Sequence, residues 1–130
     1  MNELSIQMLT EIGARVTVLG LGRNALPVPF RVRAGAVECR VPSWFGVDDL
    51  LADVGEVTLV AVDEKGPSLR WLFIRGPASM VVNPDWGGLQ LPELGSVGPN
   101  DLYQVLRVVP KRIELIDEQR GWGFRKTIDL

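Results

Sequence analysis

From residue 15 onward, apolar side chains recur at every second position in one short segment after another, and glycines and prolines punctuate the segments. A period of two gathers the apolar residues on one face only if the backbone is extended, so this alternation restricts the chain to short strands with one face to bury. Leu26, Val28, Phe30 and Val32 alternate with Pro27, Pro29, Arg31 and Arg33, and Val37, Cys39 and Val41 alternate with Glu38 and Arg40. Residues 15–21 precede them as a first strand, with Gly22-Arg23-Asn24 as a hairpin turn and Ala34-Gly35 as the next. Residues 56–62 are apolar on both faces, as in a central strand. Residues 69–82 form a long strand pattern broken at Gly76-Pro77, where a barrel bends sharply. Residues 102–109, 112–117 and 124–130 complete about eight strands, with Pro110 at a corner and Gly121 in the last turn.

Two segments carry a helical period instead. Leu4, Met8, Leu9 and Ile12 predict an amphipathic helix over residues 2–12, with Gly13 as its stop. Val47, Leu50, Leu51 and Val54, with Asp48, Asp49 and Asp53 outside them, predict a second over 46–54. Glu64-Lys65-Gly66-Pro67 is a turn signal. Residues 83–101 hold no sustained period and read either as a functional arm or as a solvent-exposed insertion. Closing the antiparallel strands into a barrel buries their apolar faces and removes their edges. With 130 residues and 46% hydrophobic composition, the chain supports one such domain, residues 1–130, with Leu26, Val28, Phe30, Val32, Val37, Val41, Leu59 and Ile74 buried in it.

Composition removes several chemistries. There is no histidine and one cysteine, so a Ser-His-Asp triad, a Cys-His pair, a histidine-ligated metal and an intramolecular disulfide are excluded, and no metal site is expected. Glu3 and Glu11, without a basic side chain before residue 13, do not suit a signal peptide, and no apolar run is long enough to span a bilayer. The expectation is a soluble cytoplasmic protein without membrane contact. Fourteen basic against sixteen acidic side chains, a net charge of −2, oppose a continuous nucleic-acid groove.

Gly20-Leu21-Gly22-Arg23-Asn24-Ala25 fits a dinucleotide-binding pattern, but Leu-Pro-Val-Pro-Phe follows it and cannot open the helix that the motif requires. Pro27 and Pro29, two apart, turn their N atoms to the same lateral side. That side is either a sheet edge or lies against something other than a strand. Arg15, Arg23, Arg31, Arg33 and Arg40 face only Glu38 in their stretch, and read either as forked donors for a phosphate or as the solvated face of strands. Trp44, Trp86 and Trp122 fall in loops or turns, where they cap a core or offer a stacking surface. Cys39, between Val37 and Val41, reads as an inert buried thiol. No side chain stands out as a catalytic acid, base or nucleophile.

The element order, with residues 25–32 (ALPVPFRV), 71–78 (WLFIRGPA) and 105–117 (VLRVVPKRIELID), resembles the pyridoxamine 5′-phosphate oxidase-like, FMN-binding split-barrel family over nearly the whole chain. The resemblance implies a mainly β, antiparallel split barrel with two short helices, and a homodimer with FMN at the subunit interface. The flavin ring would lie along Val28, Pro29 and Phe30, and the phosphate would approach Arg40, Ser43 and Trp44. Trp122 and Arg125 resemble the aromatic and basic positions that some members send across to the partner's flavin. FMN is the first cofactor implied, the deazaflavin F420 the second, and none the third, with a small oxidoreductase of unknown substrate as the implied activity. A cofactor-free dimeric barrel serving as a binding or structural module is the alternative. One departure bears on that choice: flavin-binding members usually have a lysine or arginine where this chain has Gly46-Val47-Asp48-Asp49, and two carboxylates there repel a phosphate unless they point away.

Overall fold

The computed structural model describes residues 16–63 and 67–130. The helix expected over 2–12 and most of the turn at 64–67 lie outside the described residues. The elements are β1 (Val16–Leu21), β2 (Asn24–Arg33), β3 (Ala36–Pro42), a 3-10 turn (Ser43–Phe45), α1 (Val47–Asp53), β4 (Val57–Asp63), β5 (Arg70–Gly76), β6 (Ala78–Met80), α2 (Pro99–Leu102), β7 (Tyr103–Val108), β8 (Arg112–Asp117), a second 3-10 turn (Glu118–Arg120) and β9 (Arg125–Asp129). All strand pairs are antiparallel, in the order β6-β7-β3-β2-β1-β4-β5-β8-β9, and the sheet curls into a split barrel. None of the described helices is long and apolar enough to cross a membrane.

The local turns follow from the residues that make them. Leu21 pairs with Asn24 across Gly22-Arg23, so the glycine-rich motif is a hairpin rather than the start of a nucleotide-binding helix. Arg33 pairs with Ala36 across Ala34-Gly35, both at positive φ (49° and 76°), the geometry of a type I′ turn whose twist matches the strands. Gly46 at φ 69° ends the 3-10 turn and admits the chain to α1.

One strand divides its length between neighbours and two corners carry the chain across the sheet, and this is what splits the barrel. The first half of β2, Asn24 to Pro29, pairs with β1, whereas Phe30 to Arg33 pair with β3. At Gly76-Pro77 the chain does more than bend: β5 pairs with β4 and β8, whereas β6 pairs with β7 at the opposite end of the strand order. β7 and β8 make the same passage at Val109-Pro110, and the two corners are tied by Val109 N–H donating to Pro77 O (3.0 Å) and Lys111 N–H to Arg75 O (2.8 Å).

The core is aliphatic, with Leu19, Leu21, Val28, Leu59, Leu72, Ile74, Leu106 and Ile113 fully buried. Leu50 and Leu51 of α1 pack on it, with Phe45, Leu26 and Phe30 half-buried beside them. Val28, Val37, Val41, Leu59 and Ile74 are buried as expected; Val32 is not, at 37% exposure. It lies one pair from the Ala34-Gly35 turn, with β3 on one side and no described strand on the other, whereas its partner Val37 has β7 behind it.

The outer faces of the two ends of the sheet differ. Over β2 and β3, the loop from Asn83 is strapped down: Arg31 donates to Gly87 O and pairs with Glu38 (2.9 Å), Arg33 pairs with Asp85 (3.2 Å), and Leu89 is buried beneath. Glu38, 4% exposed, also takes Arg107 (3.5 Å). Arg31 therefore belongs neither to a phosphate site nor to a solvated face: its side chain is 9% exposed because the loop covers it. Residues 99–102 of that stretch form the helical turn α2, with Gly98 as N-cap residue and Pro99 at its first position, which the missing period did not reveal. Across β1, β4 and β5 the outer face is apolar and carries no strapped loop among the described residues, with Val18 beside Val60 and Phe73, and Val62 beside Trp71 and Ile116; along β8 it turns charged, with Glu114 beside Phe73 and Arg112 beside Arg75. Val16, Val18, Val62 and Phe73 are all exposed there.

Candidate functional site

The opening of the sheet lies between β2 and β3. The two-residue turn makes Leu21 and Asn24 a hydrogen-bonded pair, and the alternation of an antiparallel ladder then makes Val18/Pro27 and Val16/Pro29 pairs without such bonds. Both proline nitrogens therefore point away from β1, to a side where no described strand pairs with residues 24–29. The prolines cost nothing against β1 and keep that edge from acquiring another strand. Of the three positions expected to line a flavin ring, Val28 is fully buried and Phe30 half-buried against the core, so the outward side chain is Pro29 and the rest of the contribution is backbone.

Across the opening stands the end of β3. Arg40 lies with its guanidinium carbon 4.5 Å from the centroid of the Tyr103 ring, a cation–π contact from β3 to the strand beside it. Its Nε is buried with no hydrogen-bond partner among the described residues, although most buried polar groups have one. Ser43 and Trp44 follow in the 3-10 turn; both are exposed, Trp44 at 77%, its ring edge-on to Phe45 with centroids 6.2 Å apart. Arg40, Ser43 and Trp44 thus follow one another at the end of β3 and in the turn after it.

Trp122 and Arg125 do not join them. They belong to the β8–β9 hairpin, at the far end of the strand order from β3. Trp122 is 99% exposed in its turn, and Arg125 pairs with Glu114 (2.7 Å).

Sequence reasoning missed a pocket of about 200 Å³ beside Tyr103. Its polar rim is Asp48 at the start of α1, Asn100 of α2, and Tyr103 and Gln104 of β7; Met80 and Val105 are among its apolar walls. Gln104 Nε2 donates to Asp48 Oδ2 (3.3 Å), and Trp86 Nε1 donates to Asn100 Oδ1 (3.2 Å). Asp48 was legible only as an outward-facing helix position, and Asn100, Tyr103 and Gln104 carry no local pattern. Among the described residues no lysine or arginine lines this pocket. Two further depressions around Arg75 and Arg112 lie at the rim of the apolar outer face, where Lys111 pairs with Glu56 and Arg112 with Asp129.

This region fits a flat ring along the open edge of β2 with Arg40 as its charged contact. It does not fit a phosphate dianion at the start of α1, because Asp48 and Asp49 occupy the first turn there and no lysine or arginine among the described residues lines the pocket beside them.

No protein-family model matches the chain, and no curated protein matches it. Solved structures do. A Clostridium acetobutylicum protein related to general stress protein 26 of B. subtilis, of the pyridoxinephosphate oxidase family, superposes with a TM-score of 0.70 at 10% identity, covering 100% of this chain and 97% of that one. General stress protein 26 from Bacillus anthracis superposes at 0.64 and 15% identity, covering 99% and 100%. An FAD binding protein from Mycobacterium smegmatis superposes at 0.61 and 12% identity, covering 100% of both chains. At such identities the likeness is one of fold.

Proposed function

We propose, from the split-barrel fold that this chain shares with pyridoxamine 5′-phosphate oxidase-like proteins, that it is a flavin-binding protein working as a homodimer, with a small oxidoreductase activity. The observation that carries this reading is the opening between β2 and β3: a strand edge kept free by Pro27 and Pro29, with the buried, unpartnered Nε of Arg40 across it. A planar heteroaromatic ring that carries an N–H as well as carbonyl acceptors meets both features, since the outward C=O groups of Pro27 and Pro29 can accept from its N–H and the guanidinium can donate to its acceptors. The bound flavin would supply hydride or electron transfer, and the chain's own residues would position it and exclude water.

The dimer rests on a separate observation. A contiguous exposed apolar sheet face marks an interaction surface, and the face around Val18, Val62 and Phe73 is of that kind. A twofold contact would cover it on both copies at once.

Titrating the purified chain with FMN and with F420, and following the fluorescence of each, tests the reading. Saturable binding is expected, with FMN or a related flavin ahead of F420. Arg40→Met keeps an apolar stem on Tyr103 while removing the donors, and weakens binding by about tenfold to a hundredfold, the value of a hydrogen bond to a charged group. A chain that binds neither is the cofactor-free dimeric module, a second reading favoured by Asp48 and Asp49 at the start of α1.

A further inference from the structure

The pocket beside Tyr103 has a chemistry of its own, and it bears on which flavin this chain takes. Its rim offers acceptors and donors in mixture. One oxygen of Asp48 accepts from Gln104, and the other has no partner among the described residues. Asn100 uses its carbonyl on Trp86, which leaves its amide NH₂ to donate, and the Tyr103 hydroxyl can do either. No lysine or arginine among the described residues lines the pocket and a second carboxylate, Asp49, lies in the same helical turn, so an anion entering here would meet Asp48 directly while the nearby Arg40 guanidinium is engaged on the Tyr103 ring. Hydroxyl groups satisfy the same rim: they donate to Asp48 and accept from Asn100 and Tyr103. The walls formed by Met80 and Val105 suit the carbon chain that carries them, and about 200 Å³ holds a short one.

We infer that this pocket receives an uncharged polyhydroxyl chain, so that the chain selects a flavin whose tail ends in hydroxyls over one that ends in phosphate. The inference rests on the flavin reading and sharpens it. Arg40, stacked on the opposite strand's Tyr103, serves the ring end of such a ligand, and Asp48 selects at the tail end.

The experiment is a fluorescence titration of the full chain with lumiflavin, which has the ring alone, and with riboflavin and FMN. Riboflavin is expected to bind tighter than lumiflavin, because the tail is held, and about tenfold tighter than FMN, because the phosphate meets carboxylates. Raising the salt concentration narrows the gap by improving FMN binding, since screening weakens like-charge repulsion. Asp48→Asn narrows it as well. The salt series uses the unaltered chain and stands if the variant fails to fold. FMN binding as tightly as riboflavin, or riboflavin no tighter than lumiflavin, overturns the inference and leaves the flavin reading in place. If none of the three binds, both fall.

Discussion

Cys39 shows how one side chain's surroundings set its chemistry. It is fully buried in β3, and burial, with the Glu38 carboxylate adding to it, pushes the thiol pKa from 9.0 up to about 12. The thiolate is therefore suppressed in the folded chain, in keeping with an inert thiol. The raised value also couples folding to pH. Above about pH 9 the unfolded chain releases this proton and the folded chain keeps it, so stability falls as pH rises, by at most about 1.4 kcal/mol per pH unit until the folded value is reached. Comparing urea unfolding of the natural chain and of Cys39→Val at pH 7 and pH 10 isolates the effect. The variant should lose less stability between the two pH values, and parallel losses would show that the thiol is not the group responsible. Glu38, beside it in sequence, faces the opposite side and bridges Arg31 and Arg107, so it acts on the thiol through its charge and not by a side-chain hydrogen bond.

The corners are the elements on which the barrel turns. At Gly76 a Cβ would collide with the backbone carbonyl of Val109, where β5–β6 crosses β7–β8. Neither backbone can retreat without breaking the bonds from Val109 to Pro77 and from Lys111 to Arg75. Gly76→Ala should cost about 3 kcal/mol, the upper end of overpacking. Gly55→Ala, whose Cβ meets nothing within 4 Å, serves as the control and should change the unfolding midpoint little. Equal midpoints for the two variants would mean that the corner yields. The loop from Asn83 is held differently. Asp85 is kept below the usual carboxylate range, first by the Gly87 N–H and then by Arg33, so this contact is present above the ordinary aspartate pKa and is lost as pH falls through the lowered one.

For the molecule in full, the contrast between its two outer faces is what the proposed dimer rests on. The strapped loop covers the sheet over β2 and β3, and the face over β1, β4 and β5 is left as the apolar surface open to a partner. Phe73→Asp would put a second carboxylate beside Glu114 on that face without touching the core, because Phe73 points away from Leu72 and Ile74. Sedimentation should give a dimer for the natural chain at micromolar concentration and a monomer for the variant, with the unfolding of the monomer still cooperative. A natural chain that sediments as a monomer would remove the dimer and leave the face unexplained.

Alternation, hairpin turns and the span of α1 were legible in the residues because each is settled within a few positions: extended backbone sorts side chains by parity, Gly22 and Gly35 admit positive φ, and Val47, Leu50 and Leu51 share one side of a helical turn. The prolines of β2 likewise announced a free edge. Strand order was not legible, since nothing local says that the chain passes from one end of the sheet to the other at Gly76-Pro77. Nor were the partners of the charges. Asp48 meets Gln104 fifty-six positions on, and Arg31 reaches Gly87 at the same separation. Parity can say which side of a strand an arginine faces, but whether water, a loop or a ligand lies there depends on what distant chain the fold brings over it. For Arg31 the fold brings Gly87, and for Arg40 it brings a tyrosine ring and leaves one nitrogen unmet.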